Sequence, residues 1–172
     1  MKADQYLFSQ DELIIVDAEL GIDIVAKGRR HTQSHVLIPR REMFYLDGKL
    51  HGPSVMYSEE GNVLAKTWYC EGKKEGKTQF YFSTGAIASI QRFKNGQWEG
   101  MQEYFYAVSR VKSQIPFCEG KLHGTVNLFW ESGQPKRVVH YIDNLREGMD
   151  QLWNEQGVLI DEQKYHKGLP CS

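Results

Sequence analysis

The sequence predicts an all-β protein, an elongated and twisted antiparallel sheet of about five 24-residue β-hairpin repeats with an N-terminal β cap. Three observations support this prediction. Glycine recurs at intervals of 24 residues in three separate columns, and aromatic residues keep the same interval in two more. The runs between glycines are short, so a helix would be interrupted repeatedly at a cost of about 1 kcal/mol for each glycine.

The glycine columns predict the turns. The first column contains Gly48, Gly72, Gly96, Gly120 and Gly168, with Asn144 in the remaining place. Because Asn tolerates positive φ better than other non-glycine residues, we expect this column to occupy a positive-φ turn position. The second column contains Gly52, Gly76, Gly100, Gly124 and Gly148. The third contains Gly61, Gly85, Gly133 and Gly157, and Ser109 interrupts it, so we expect a longer or distorted turn there.

The aromatic columns place strands between these turns. One column contains Tyr45, Tyr69, Phe93, Phe117, Tyr141 and Tyr165, and the other contains Tyr57, Tyr81, Phe105, Phe129 and Trp153. The period that begins at Gly52 holds two β-favouring runs, roughly 53–58 and 62–70, separated by a glycine turn. Each period is therefore predicted to form one hairpin, and successive hairpins to extend one sheet.

The two ends of the chain are predicted to cap the array, because a terminal hairpin exposes an unpaired edge. Residues 1–44 form the predicted N-terminal β cap, in which ELIIVDAE and IDIVAKG are two strands around Gly21. We interpret residues 28–44 as a decayed repeat, since they keep a first Gly and precede an aromatic at the repeat spacing. The array itself is assigned to 45–168 and the C-terminal tail to 169–172.

Three stretches are the best copies of the repeat: YLDGKLHGPSVMYSEEG, YCEGKKEGKTQFYFSTG and FCEGKLHGTVNLFWESG. Their shared pattern, Y-x-x-G-K-x-x-G-x-x-x-x-Y-x-x-x-G, resembles the MORN repeat, in the longer variant of bacterial proteins similar to the YwqK-type antitoxins. The resemblance covers about Tyr45 to Gly168. It implies an extended sheet of hairpins and a role in binding, either antitoxin-like or as a scaffold.

Composition argues against several classes of function. The chain has 21 basic and 22 acidic residues and a formal charge of −1, which removes the electrostatic reason to expect nucleic acid as a partner. The first 20 residues lack a secretory pattern, and no apolar run approaches 18 residues. We therefore expect a cytoplasmic protein.

Candidate chemical groups are too far apart in the predicted sheet to act together. His51 and His123 occupy the same repeat position, roughly 29 Å apart at ~4.8 Å per strand, so they cannot share a metal. By the same measure Cys70 and Cys118 are roughly 19 Å apart. With Cys171 they are predicted to be free thiols, unless Cys171 folds back or pairs with another chain. No familiar catalytic motif occurs, so we expect no catalytic residue, metal or cofactor, with an enzyme site in a groove of the sheet as a remaining alternative.

Apolar residues flank the second aromatic column. Six of them fall in the three inner repeats and are predicted to share one face: Phe80, Phe82, Tyr104, Tyr106, Leu128 and Trp130. They form either a second ladder, covered by the N-terminal segment or by the curl of the sheet, or an exposed patch that docks a partner protein or a second copy. Trp98, in the turn NGQWEG, is a further candidate contact.

These features predict a non-enzymatic repeat protein that mediates protein–protein interaction, with self-association as one form of it. The alternative is a module that binds phospholipid at a membrane surface. Lysines recur in the turns, at Lys49, Lys73, Lys74 and Lys121, but Glu71, Glu75, Glu119 and Glu147 lie among them. We therefore expect membrane binding to be weak.

Overall fold

The computed structural model describes residues 5–9, 12–17, 22–30 and 37–171, with side chains described from residue 41 onwards. The chain divides into two compact units, residues 1–85 and 86–172. All regular structure in the described residues is β-strand, paired antiparallel in hairpin order, which confirms the all-β prediction. Among the same residues, none forms a helix of the length and apolarity that a membrane crossing requires.

The first unit is a meander in which each strand pairs with the next. Its strands are β1 (Gln5–Ser9), β2 (Glu12–Asp17), β3 (Ile22–Arg30), β4 (Leu37–Leu46), β5 (Lys49–Tyr57), β6 (Val63–Cys70) and β7 (Lys73–Tyr81). Strands β2 and β3 are the two that the sequence predicted around Gly21, and they pair with each other.

The β3–β4 hairpin does not share the register of the repeats. Gly52 pairs with Tyr69 in the repeat that follows, whereas Gly28 pairs with Pro39 and Tyr45 pairs with Asp23. This register does not support our interpretation of 28–44 as a decayed repeat, part of which lies outside the described residues. The boundaries of cap, array and tail stay predictions.

The second unit continues the same construction. Its strands are β8 (Ile87–Lys94), β9 (Gln97–Trp98), β10 (Gly100–Phe105), β11 (Val111–Cys118), β12 (Lys121–Leu122), β13 (Gly124–Phe129), β14 (Pro135–Ile142), β15 (Leu145–Trp153), β16 (Leu159–His166) and β17 (Leu169–Pro170). Strands β9 and β12 are short because a bulge follows each turn, after which β10 and β13 resume the pairing with β8 and β11.

The turns of the first glycine column have positive φ at two consecutive residues. Asp47 and Gly48 have φ of 48° and 71°, and Asp143 and Asn144 have 48° and 70°. Two positive values in a two-residue loop are typical of the type I′ hairpin turn. The prediction for this column, including Asn144 as the glycine substitute, is confirmed.

The turn at Ser109 is neither longer nor distorted, so that expectation was wrong. Ser109 has a φ of 61°, and its N–H donates to the Tyr106 carbonyl over 2.9 Å. The turn that contains Gly133 closes in the same way, from the Gly133 N–H to the Trp130 carbonyl over 2.8 Å. Serine adopts the left-handed conformation at a cost of about 1–2 kcal/mol. The pairing of β10 with β11 on either side of the turn offsets that cost.

The buried residues form a ladder along one face of each unit, which we call the ladder face. In the first unit Met43 pairs with Ser54, Ser54 with Thr67, and Thr67 with Thr78. Met43 and Thr78 are buried. Directly paired residues point to the same face, so their side chains cover one another across four strands.

In the second unit, the ladder face carries several buried polar groups. Gln102 pairs with Ile115, and Val139 pairs with both Val126 and Asp150. Gln102 is fully buried, and Val139 and Asp150 are nearly so. Polar side chains can occupy these positions only where hydrogen bonds replace the lost water.

Candidate functional site

Three of the predicted partner-binding residues are cross-strand neighbours of small residues on the ladder face. Phe80 pairs with Ala65, Tyr104 pairs with Ser113, and Leu128 also pairs with Ser113. Ala65 and Ser113 are buried, whereas the three larger side chains are half-buried. Large residues alternating with small ones cover the sheet backbone, so these side chains have a packing role within their own units.

The other three, Phe82, Tyr106 and Trp130, lie just beyond the ends of β7, β10 and β13. Because they lie outside the strands, the alternation of side chains along a strand does not determine the face to which they point. The prediction that all six residues share one face therefore does not follow for these three. The Tyr106 hydroxyl donates to the Phe129 carbonyl over 2.8 Å, and the Trp130 Nε1–H donates to the Trp153 carbonyl over 3.1 Å. Both bonds connect consecutive hairpins.

The second unit thus contains Tyr104, Tyr106, Leu128 and Trp130, and the first unit contains Phe80 and Phe82. All six are half-buried. Lys112 lies 5.7 Å from the centre of the Tyr106 ring, and Lys136 lies 4.1 Å from that of Trp130. Docking of a partner on these residues stays a prediction.

Trp98, the seventh predicted contact, is 36% exposed. Its ring packs edge-on against Phe117, with ring centres 4.6 Å apart and planes at 67°. Its carbonyl accepts the Gly120 N–H over 2.9 Å. Trp98 therefore links two consecutive hairpin turns and still presents part of its ring to solvent.

The strongest electrostatic cluster among the described residues surrounds Asp150. Arg137 donates to both of its carboxylate oxygens, over 2.7 and 2.6 Å, and Arg146 donates over 3.0 Å. The hydrogen bond from Arg137, with a further contribution from Arg146, holds the pKa of the Asp150 carboxyl below its ordinary value, against the opposing effect of burial. A carboxylate with both oxygens occupied by guanidinium groups is structural rather than poised for proton transfer.

The described residues contain free thiols and paired histidines but no cluster of metal ligands. Within them, no group of three or more His, Cys, Asp or Glu side chains is arranged to hold a metal ion. Cys70 and Cys118 are exposed free thiols, and Cys171 is a half-buried one. His123 lies 3.5 Å from Asp143 in an exposed turn pair.

An open groove in the first unit was missed by the sequence analysis. It has a volume of about 400 Å³ and lies across β5, β6 and β7. Its lining consists of Pro53, Val55, Lys66, Thr67, Trp68, Gly76, Lys77 and Gln79. Trp68 is 54% exposed, the highest exposure of any described tryptophan. We call this feature the Trp68 groove.

A bulge lies beside the Trp68 groove. Thr67 pairs with Thr78 and Tyr69 pairs with Lys74, so three residues of β7 lie opposite the single residue Trp68. One of the three is Gly76, which has a φ of 69° and no heavy atom within 4 Å of the place where a Cβ would be. The pairing leaves open space beside the indole ring. Pro53, directly opposite Trp68 on β5, closes the other side.

The fold does not require a tryptophan at this position. The equivalent residue one repeat later is Arg92, whose guanidinium pairs with Glu103 over 2.8 Å. Two repeats later it is Pro116, and three repeats later it is His140, which contacts Thr125 over 3.1 Å. This column varies freely, and an isolated bulky residue in a variable column is the sequence signal that could have revealed the groove.

Comparison with protein families identifies the repeat. Two segments of the chain, 74–95 and 122–143, match the MORN repeat variant. They are two repeat periods apart, and each runs from one hairpin turn to the next. The resemblance inferred from the sequence pattern is therefore confirmed for these MORN segments.

Other comparisons add little to this match. The curated proteins give no match to the chain. Among solved structures, a chain from the "Crystal structure of GtfA/B complex" is similar, with 11% identity and a TM-score of 0.40. The similarity covers 60% of this chain and 20% of that one, so this chain spans about a fifth of that protein's length.

Proposed function

We propose that this chain is a non-enzymatic, cytoplasmic MORN-repeat protein that binds another protein, and that the Trp68 groove is part of the binding surface. One observation carries the proposal: a tryptophan more than half exposed lines a concave site in a repeat position that the scaffold fills with other residues elsewhere. Tryptophan is enriched among residues that contribute most to protein–protein affinity.

Support for a binding role also comes from the way polar groups are used. The charged groups whose pKa is clearly shifted serve structure: Asp150 binds two arginines, and Glu147 accepts the Lys167 N–H while contacting His166. Such groups hold consecutive hairpins together. None of them lines the Trp68 groove, whose ionisable lining residues are Lys66 and Lys77. An antitoxin-like or a scaffolding role would both use this kind of binding surface.

A membrane surface is the alternative ligand, because tryptophan and lysine together are typical of membrane interfaces. Lys66 and Lys77 lie beside Trp68. The overall charge of −1 and the concave shape of the groove favour a protein segment over a flat lipid surface.

The proposal is tested by affinity capture from the native lysate, followed by light scattering of the purified complex. We expect Trp68→Ala to lose the partner that the wild-type chain retains. Val108→Ala is the matched control, because Val108 is an exposed apolar residue in a turn of the other unit. Phe82→Ala in the same assay decides whether the aromatic residues predicted from the sequence take part. Equal capture by wild type and Trp68→Ala would refute the role of the groove.

A further inference from the structure

The chemistry of the Trp68 groove indicates which kind of segment it recognises. We infer that it binds an extended segment of a partner protein in which two acidic residues and one apolar or aromatic residue alternate with other residues. This inference rests on the proposed function and adds the partner's chemistry to it.

Charge complementarity supports the acidic part of the inference. Two lysines, Lys66 and Lys77, line the groove, and no carboxylate does. Both lysines are exposed. Glu75, the nearest carboxylate in sequence, already has an interaction of its own and is not part of the lining. Two cations without a carboxylate in the same groove attract an anionic ligand.

The spacing of the lysines supports an extended ligand. Lys66 pairs with Gln79, so Lys77 is its diagonal neighbour on β7. Diagonal neighbours on one face of a sheet are about 7–8 Å apart. Alternate residues of an extended chain are roughly 6.6 Å apart and point the same way. Acidic residues at positions i and i+2 of a ligand strand can therefore reach both lysines.

The apolar part of the inference follows from the remaining lining. Pro53, Val55 and the indole of Trp68 provide an apolar wall, and the bare backbone at Gly76 leaves room beside it. A side chain at position i+4 of the ligand points the same way as the two acids, so it can lie against Trp68. Recognition would then combine indole burial with two charge-assisted contacts.

The test is fluorescence anisotropy with a labelled peptide, Gly-Ser-Asp-Ser-Glu-Ser-Phe-Ser-Gly, at low salt. We expect saturable binding that weakens as salt rises. A peptide with Lys in place of Asp and Glu should not bind, and one with Ser in place of Phe should bind about tenfold more weakly. Equal binding of the acidic and basic peptides, or no binding of the acidic one, would overturn the inference.

Variants assign the binding to the groove. The double variant Lys66→Glu and Lys77→Glu, and separately Trp68→Ala, should each weaken peptide binding about tenfold or more. Lys121→Glu is the matched control, because Lys121 is an exposed lysine at a turn of the other unit, and it should bind as wild type does.

Two further outcomes separate this inference from the proposed function. Loss of the lysate partner in Trp68→Ala, together with failure of the acidic peptide, would overturn the acidic-segment inference and leave the protein-binding role standing. Trp68-dependent binding to vesicles of phosphatidylserine and phosphatidylcholine, without peptide binding, would overturn it in favour of a membrane ligand.

Discussion

At the scale of single residues, the turns select for residues that tolerate positive φ. Asn144 takes this conformation in place of glycine with little strain, since its short side chain can bond locally. Ser109 takes it as well, at a φ of 61°, although serine is less suited to it. The repeat therefore keeps its geometry when its most characteristic residue is lost.

Ser109→Gly is predicted to stabilise the protein. Removing the left-handed strain gains about 1–2 kcal/mol, and the added freedom of glycine in the unfolded chain offsets roughly 0.5–1 kcal/mol of it. We expect a net gain of about 0.5–1 kcal/mol in the free energy of unfolding, measured by urea denaturation. Gly133→Ser, the reverse change at the equivalent turn, should lower stability by a similar amount, and a gain there would contradict the argument.

A second residue-scale feature is the fully buried amide of Gln102. Its Oε1 accepts the Arg92 N–H over 2.7 Å, and its Nε2 donates to the Arg92 carbonyl over 3.2 Å. The Arg92 carbonyl also accepts the Glu99 N–H over 3.0 Å, whereas the Gln102 Oε1 is the partner of the Arg92 N–H beside the bulge. One repeat later the same two positions hold Pro116, which has no N–H, and Val126, which has no polar group. In one repeat a polar side chain faces a backbone N–H, and in the next an apolar side chain faces a proline that has no N–H.

Gln102→Val is predicted to destabilise the protein by about 1–3 kcal/mol, because it leaves the Arg92 N–H without its partner and removes the Gln102 donor from the carbonyls of Arg92 and Gly100. Urea denaturation at neutral pH measures the loss. Gln97→Val makes the same change at an exposed site and should shift stability by no more than about 0.5 kcal/mol. Equal effects of the two substitutions would rule out a special role for the buried amide.

At the scale of elements, side-chain and backbone contacts join both paired strands and consecutive hairpins. Arg137 on β14 bonds Asp150 on β15, and Trp130 beyond β13 bonds the end of β15. The Gly168 N–H donates to the Arg146 carbonyl, which connects two consecutive turns. Each hairpin is thus held by contacts with its neighbour in sequence, as expected for a repeat array.

The Asp150 cluster predicts a specific loss of stability in acid. Its folded-state pKa is depressed below the ordinary value of about 3.9, so its contribution is complete above about pH 4 and is lost as the pH falls below that. Asp150→Asn should lower stability at pH 7 by about 1–3 kcal/mol, because three charge-assisted bonds to two partly exposed arginines are weakened.

Urea denaturation of wild type and Asp150→Asn between pH 7 and pH 3 checks this prediction. The two stabilities should differ by a constant amount down to about pH 4 and converge at lower pH. A difference that stayed constant to pH 3 would show that the arginines do not depress the pKa of this carboxyl.

At the scale of the whole molecule, a substitution should be able to abolish partner binding without lowering the free energy of unfolding. The scaffold depends on the turns and on the ladder face, whereas Trp68 lies on the opposite face and is more than half exposed. Trp68→Ala should therefore change the free energy of unfolding by less than about 1 kcal/mol while it abolishes partner binding. A large loss of stability would instead assign Trp68 to the scaffold. Unfolding and capture measured on the same preparation distinguish the two results.

Much of the fold could be predicted because the conformation of each turn depends on only a few neighbouring residues. A single φ value at Gly48 or Asn144 depends on one or two residues, so a 24-residue period of glycines predicts the turns and, between them, the strands. The faces of the aromatic residues were harder to predict. Strands β5, β10, β13 and β15 of the second aromatic column end at a bulge, and an alternation of period two does not continue through a bulge to Tyr106 or Trp130. Phe82 likewise lies beyond the end of its strand.

By itself, the sequence determined the strand order, the turn positions and the MORN-type repeat, since periodic turns and strands are set by local backbone preferences. Only the tertiary structure decided which polar groups are satisfied and where the surface is concave. Gln102, Asp150 and Trp68 acquire their roles from residues up to 15 positions away, brought close by strand pairing and displaced by bulges. Bulge geometry depends on the two paired strands together, so the groove at Trp68 is visible only after they meet.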